Sequence, residues 1–444
     1  MKKASLIVTI LFVLSLTLAA CAPAAPATEA PVVATEAPVV ATDVPAATEA
    51  PIEDVTLTVW TLNSRNAGIT AILDGFMAAY PNITLEVSYN DAAPHRDGLR
   101  IAATSGTLPS IWMNWGGTLG GYYAQNNLSY DLTEYAAANN WSAKFEQAAI
   151  DLSTLDGQLA GYPSALSVVG VIYRKDVFER LGIAIPETLE ELEAACATIK
   201  ADGLNPISTA SGADGYHVMR IVEQLIETYA GPELHDAINT YKEPFNSLAV
   251  VQALDKYKEF VDNGYFNEGF VSAGATDAPT KLYSGTDSVM VVEGQWFETN
   301  AKKAEIDTTA FGFFPFPSGG TKRMSAFVEM YQFNANLSDA ELDAAVKFMD
   351  YYYSKEAVAA EPANYKFPLP MTGIADIPEA NVITKAMVEA AAAGGTFTIG
   401  DQAFPTEVAQ VLFSVQDEIA LGTMSPVEGA AAVQEAIDTY LANK

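Results

Sequence analysis

At 444 residues the chain exceeds what one ordinary core accommodates, so two lobes or domains are expected. Half of its residues are hydrophobic, enough to build both, and a formal net charge of −31 sets its surface against nucleic-acid phosphates and anionic lipid. With three histidines and two cysteines, Cys21 and Cys196, in unlike contexts, neither a His/Cys metal site nor a disulfide is expected.

Met1-Lys2-Lys3 followed by the apolar Ala4–Ala20 has the layout of a secretory signal over residues 1–20 rather than of a membrane span. Leu18-Ala19-Ala20-Cys21 resembles a bacterial lipobox. That resemblance implies cleavage before Cys21 and lipidation there, its thiol being the nucleophile that takes the diacylglyceryl group. Several acyl chains anchor stably where one does not. Residues 21–54 then read as a tether: ATEAPVV occurs at 27–33 and again at 34–40, and proline recurs too often for helix or sheet. At ~3.1 Å per residue its reach is on the order of 100 Å.

Val55–Trp60 alternates as a strand, Gly68–Tyr80 carries one apolar helix face, and Ile83–Tyr89 alternates again. Strand, helix and strand at this length make a βαβ unit and an at least partly parallel sheet. A helix over Arg96–Ser105 and a strand over Ser110–Trp115 follow. In open α/β sheets a ligand lies beyond the carboxyl ends of the strands, which singles out the loops Thr61–Asn66 and Asn114–Thr118. Gly116-Gly117 beside Trp115 would leave room for it.

Asp156-Gly157 is a turn, Pro163 closes a short apolar segment, and Ser167–Tyr173 is rich in β-branched residues, a buried strand. Thr188 and Glu191 have capping-box spacing, and Leu189, Leu192, Cys196 and Ile199 share the face of the helix that follows, where Cys196 is an inert core thiol. Helices are expected over His217–Ala230 and Ser247–Asn263, with His217 a capping or surface residue, and a buried strand over Ser288–Val292. Ser338 with Glu341 opens a further helix, and Ser425, Pro426 and Glu428 the last. Tyr351-Tyr352-Tyr353 suggests a ferric site, but consecutive helical residues point about 100° apart and do not converge on a metal.

The order over 155–199 (turn, G-x-Y-P, strand ending in Tyr, K-D-x-F, L-G, P-E-T-x-E-E) resembles the crossover segment of the extracellular solute-binding proteins of ABC importers, in the branch that includes the maltose- and oligosaccharide-binding proteins. F-x-x-x-Y-P-N-I-x-L-E-V at 76–87 is similar to that family's opening, and Gly294-Gln295-Trp296 to its G-x-W ligand loop; Ser110 stands where Asp is more usual. Phe311–Phe316 resembles the second crossover. The resemblance implies an α/β, two-lobed periplasmic-binding-protein fold, each lobe a mostly parallel sheet flanked by helices and joined by crossover hinge strands. Lobe 1 would take residues 55–164 and 313–364, lobe 2 residues 165–312 and 365–444. It further implies binding with closure rather than catalysis, no cofactor or metal, a sugar ligand (an oligosaccharide), permease subunits as partners and a monomer. The molecule would be held by its lipid at the outer face of the cytoplasmic membrane.

A sugar ring has two apolar C–H faces and a rim of hydroxyls, so its site needs flat aromatic surfaces and planar polar groups. Trp60, Trp115, Tyr216 and Trp296 supply the first; Asn63, Arg65, Asn114, Asp214, Gln295 and Glu329 supply the second, with Tyr331 beside Glu329 on the same strand. Arg65 and Glu329 could instead pair with each other. Three rival ligands fit the same fold: a polyamine, a polyol phosphate or a peptide. A polyamine would use Asp214, Glu293 and Glu329, whereas a polyol phosphate would want converging cations, of which Arg65 alone is apparent. A secreted glycosidase with paired carboxylates is the enzymatic alternative; neither G-x-S-x-G nor H-E-x-x-H occurs.

Overall fold

The computed structural model describes residues 53–63, 69–155, 157–212 and 215–443. The signal-like segment, Cys21 and nearly all of the tether lie outside them, as do Arg65 and Asp214. No helix among the described residues is long and apolar enough to cross a membrane.

The strands are β1 (Val55–Leu62), β2 (Ile83–Asn90), β3 (Ile111–Trp115), the hairpin pair β4 (Thr154–Leu155) and β5 (Gln158–Leu159), β6 (Tyr162–Arg174), β7 (Asn205–Ser208), β8 (Ser288–Gly294), β9 (Phe311–Phe314), β10 (Met324–Phe333) and β11 (Thr396–Thr398). In β1 the residues Val55, Leu57 and Val59 turn inward while their neighbours do not, as the alternation predicts. The helices Ile69–Ala79 and Ala92–Ser105 carry the chain between β1, β2 and β3, and both β1–β2 and β1–β3 are parallel. Pro94 sits in the first turn of the second helix, which starts four residues before the expected Arg96 because a first-turn proline gives up no helical hydrogen bond.

Both halves share one sheet of order β2-β1-β3-β10-β6-β8-β7, with β9 on β6 and β11 on β10. The splice is β6, which is 13 residues long and longer than the expected Ser167–Tyr173. Its first half pairs antiparallel with β10, its second half with β8 and β9. Pro163 lies within this strand rather than closing the segment before it. The register shifts there, Glu329 facing Ala165 and Met330 facing Pro163, and such an irregularity is where a strand tolerates a missing N–H. The second crossover is β10, not Phe311–Phe316. Phe311–Phe314 runs along the far half of β6, and its rings pack among second-lobe residues.

Two main cores flank the splice. The first gathers Leu57, Val59, Phe76, Ile111, Met113, Phe333, Phe348 and Tyr352; the second gathers Val171, Phe178, Leu192, Cys196, Val222, Leu254, Tyr257 and Met290. Tyr365, Phe367, Leu369 and Met371 pack in the first core, although the expected second lobe begins at 365. The chain rejoins second-lobe side chains by Ile383 and Met387. Of the three consecutive tyrosines, Tyr352 and Tyr353 are buried in the first core and Tyr351 packs at its edge.

Candidate functional site

Where the sheet passes from one lobe to the other, strand ends converge. Trp115 closes β3 and faces Glu329 of β10 in the ladder, while Gly294 ends β8 opposite Val169 of β6. Trp296 follows at once and opens the helix Trp296–Lys303. Tyr216 and Arg220 stand one turn apart on the helix Tyr216–Asn239, hence on one face. These side chains enclose a cavity of about 190 Å³. Leu62, Ala92, Arg96, Trp115 and Lys366 wall it from the first lobe; Tyr216, Arg220, Trp296 and Phe327 wall it from the second, with Glu329 on the crossover strand. Ile399, Asp401 and Gln402, at the start of the short helix Gly400–Ala403, complete it. A larger groove of about 800 Å³ separates the helix Gly117–Gln125 from the helices Thr406–Ala420 and Pro426–Ala442, but among the described residues tryptophan and basic side chains are absent from its lining. The smaller cavity is therefore the candidate site.

Its aromatic rings are held by cations. The Arg220 guanidinium lies 4.9 Å from the ring centre of Tyr216 and 5.1 Å from that of Trp296. Lys366 lies 5.5 Å from Trp296, and Arg96 lies 5.2 Å from Trp115. Trp296 also packs on Phe327, centroids 5.6 Å apart. Arg220 Nη1 donates to Glu293 Oε1 at 2.6 Å, while its buried Nε has no partner among the described residues. Burial raises the Glu293 carboxyl above its ordinary value and the neighbouring guanidinium opposes the rise. Lys366 forms an ion pair with Glu329. His217 is not at the surface: it is buried with Nε2 3.4 Å from Glu293 Oε2, and burial, assisted by Arg220, drives its imidazole far below its ordinary pKa.

Of the residues singled out in the sequence, Trp115, Tyr216, Trp296 and Glu329 come together in this cavity. Trp60 does not; it packs with Leu99, Trp112 and Tyr123 beneath the helix Ala92–Ser105. Asn63 donates to Asp91 at 2.9 Å. Asn114 donates to Gln332 at 2.8 Å and accepts from the Trp115 N–H, both within the first lobe. Tyr331 is buried in the first core, its hydroxyl 2.9 Å from that of Thr61. The Gln295 amide accepts from Val168 N–H at 3.0 Å and donates to the Leu166 carbonyl at 2.8 Å. It continues the ladder along β6 just beyond the end of β8, so it splints the crossover instead of facing the cavity. The room over Gly116-Gly117 is occupied by Gln402 and Val328. Glu329 forms an ion pair with Lys366, and the other partner the sequence suggested, Arg65, lies outside the described residues.

Arg96, Arg220, Phe327, Lys366, Asp401 and Gln402 were missed. Arg220 was within reach, four residues beyond Tyr216 on a helix, and so was Phe327, two residues before Glu329 on a strand. Lys366 and the 399–402 segment carry no local signal.

A family model described as bacterial extracellular solute-binding protein matches residues 71–389. The alpha-glucosides-binding periplasmic protein AglE of Rhizobium meliloti (strain 1021) is 32% identical over 166 residues, 34% of this chain and 34% of that one. The lactose-binding protein of Rhizobium radiobacter is 23% identical over 325 residues, 70% of this chain and 72% of that one. Among solved structures, a chitin oligosaccharide binding protein superposes with a TM-score of 0.80 at 24% identity, covering 87% of this chain and 98% of that one. Maltose-bound T. maritima MalE3 superposes at 0.72 with 17% identity, covering 87% and 100%. At these identities the structural likeness concerns the fold.

Proposed function

Since the chain belongs to the bacterial extracellular solute-binding proteins, which bind and do not catalyse, we propose that it captures a sugar between its two lobes and hands it to the permease of an ABC importer. The observation that carries this reading is the pair Trp115 and Trp296, which come from the ends of different strands and line one cavity among charged side chains. Flat rings take the C–H faces of a pyranose, and carboxylates and guanidinium groups take its hydroxyls. A ligand touching both walls favours the closed form by its differential affinity, and only that difference shifts the equilibrium.

The charges speak for an uncharged ligand. Arg96, Arg220 and Lys366 in the wall stand against Glu329 and Asp401, with Glu293 paired to Arg220, so the nearly balanced charges give a polyamine little net attraction. Arg220 and Lys366 are already matched by Glu293 and Glu329, which leaves little attraction for a phosphate. Sugars named for the relatives, among them α-glucosides, lactose and chitin oligosaccharides, are the first to try. Lipidation at Cys21 and a tether over 21–54 complete the reading: a monomer held at the outer face of the cytoplasmic membrane, on the strength of the lipobox-like sequence.

The test is a thermal-shift and tryptophan-fluorescence screen with maltose, maltotriose, lactose, galactooligosaccharides, chitobiose, spermidine and glycerol 3-phosphate. At a hundredfold excess over Kd a bound ligand adds about 2.7 kcal/mol of stability. A sugar is expected to give this shift. A shift with spermidine or the polyol phosphate and with none of the sugars would overturn the sugar assignment.

A further inference from the structure

Gly117 is where the lobes touch most closely. A Cβ on Gly117 would lie 2.1 Å from the carbonyl oxygen of Gln402 and 2.7 Å from its Cβ, and Gly117 holds a φ of +61°. A Cβ on Gly116 would instead meet Val328 Cγ1 at 2.3 Å and the Leu152 carbonyl at 2.5 Å, with Gln402 Oε1 only at ordinary contact distance. One residue further, the Thr118 hydroxyl donates to the Phe404 carbonyl. The helix Gly117–Gln125 belongs to the first lobe, where Tyr123 packs beside Trp112. Ile399 and Phe404 belong to the second core, and the Gly400 N–H donates to Glu223 at 2.8 Å. Gln402 also lines the cavity.

We infer that Gly117 and Gln402 form the seam on which the lobes close, and that Gly117 sets ligand affinity without touching the ligand. The atom that a methyl group at 117 meets is backbone, not the tip of a flexible side chain. Two residues earlier the same segment is anchored by the Gly400 N–H on Glu223, which resists its retreat. The collision is relieved only when the two lobes part. Glycine at 117 is therefore a positioning residue, and its replacement lowers the closed population. Apparent affinity falls in proportion to that population, so a tenfold loss of closed form is a tenfold loss of affinity. The affinity arm rests on the sugar-capture reading; the seam itself does not.

The experiment compares full-length wild type with Gly117→Ala, Thr118→Val and Gly106→Ala. Gly106 is the control for backbone strain: its φ is +68°, and nothing stands within 4 Å of a Cβ there. X-ray scattering without ligand should give a larger radius of gyration for Gly117→Ala, a smaller increase for Thr118→Val, and none for Gly106→Ala. Titration with the sugar screen should show affinity reduced tenfold or more for Gly117→Ala and within twofold for Gly106→Ala. Equal radii and equal affinities for Gly117→Ala and Gly106→Ala would overturn the seam. A panel that wild type does not bind removes the sugar reading and leaves scattering to decide the seam.

Discussion

Replacing Arg220 with methionine keeps much of the stem that packs by Tyr216 and Trp296 and removes the charge that faces Glu293. The pair is buried, with side chains 7% and 2% exposed and Nη1 2.6 Å from Oε1. Unit charges about 4 Å apart attract by about 4 kcal/mol at an effective dielectric of about 20. Stranding one partner of such a pair costs about 3–5 kcal/mol. The cost depends on pH. Burial already raises the Glu293 carboxyl, and loss of Arg220 raises it further. A carboxyl whose folded pKa lies above its unfolded value costs nothing while both states are protonated, and destabilises progressively as pH rises past the unfolded value. The deficit of Arg220→Met should thus be small near pH 5 and full at pH 8. Adding Glu293→Gln should restore most of the loss, giving a coupling energy of about 3 kcal/mol in a double-mutant cycle. Urea denaturation followed by tryptophan fluorescence at pH 5, 7 and 8 measures each quantity. A deficit under about 1 kcal/mol at pH 8, independence of pH, or no rescue by Glu293→Gln would refute the reasoning.

Burial pushes the Glu223 carboxyl up from 4.5 to about 8, so the wild type should lose stability as pH climbs from about 4.5 to 8. At about 1.4 kcal/mol per pKa unit the whole loss is at most about 5 kcal/mol, and Glu223→Gln should flatten it in denaturation series between pH 5 and 9. Gln295→Ala strands the Val168 N–H and the Leu166 carbonyl, which should cost about 2–4 kcal/mol; a variant of normal stability that failed to bind sugar would instead make Gln295 a ligand contact. Trp115→Ala and Trp296→Ala should each weaken sugar binding by tenfold or more in calorimetric titration, while Trp60→Ala, outside the cavity, should leave affinity unchanged. Equal losses from all three would mean that the cavity does not hold the sugar.

Some of this molecule is written locally. The capping boxes at Thr188/Glu191, Ser338/Glu341 and Ser425/Glu428 all form, because each needs only a hydroxyl and a carboxylate three residues apart. The alternation of β1 and the helix face of Leu189, Leu192, Cys196 and Ile199 were equally legible, since periods of 2 and 3.6 are read within one segment. Pro163 was misread because whether a strand tolerates proline depends on its partner, and that partner is 167 positions away at Met330. The return crossover was misplaced for a similar reason: FGFF looks the same whichever lobe buries it.

The sequence by itself determined the element types, the two-lobed family and the Gly-Gln-Trp turn that delivers Trp296. Only the tertiary structure decided which polar groups share the cavity. Trp60, Asn114 and Tyr331 carry the right chemistry in the right strands, yet each meets its partner inside the first lobe. Arg220 and Lys366 reach the rings from segments 146 residues apart, drawn there by buried carboxylates on β8 and β10. An ion pair constrains position in space and leaves no period in sequence, which is why those cations could be found only in the fold.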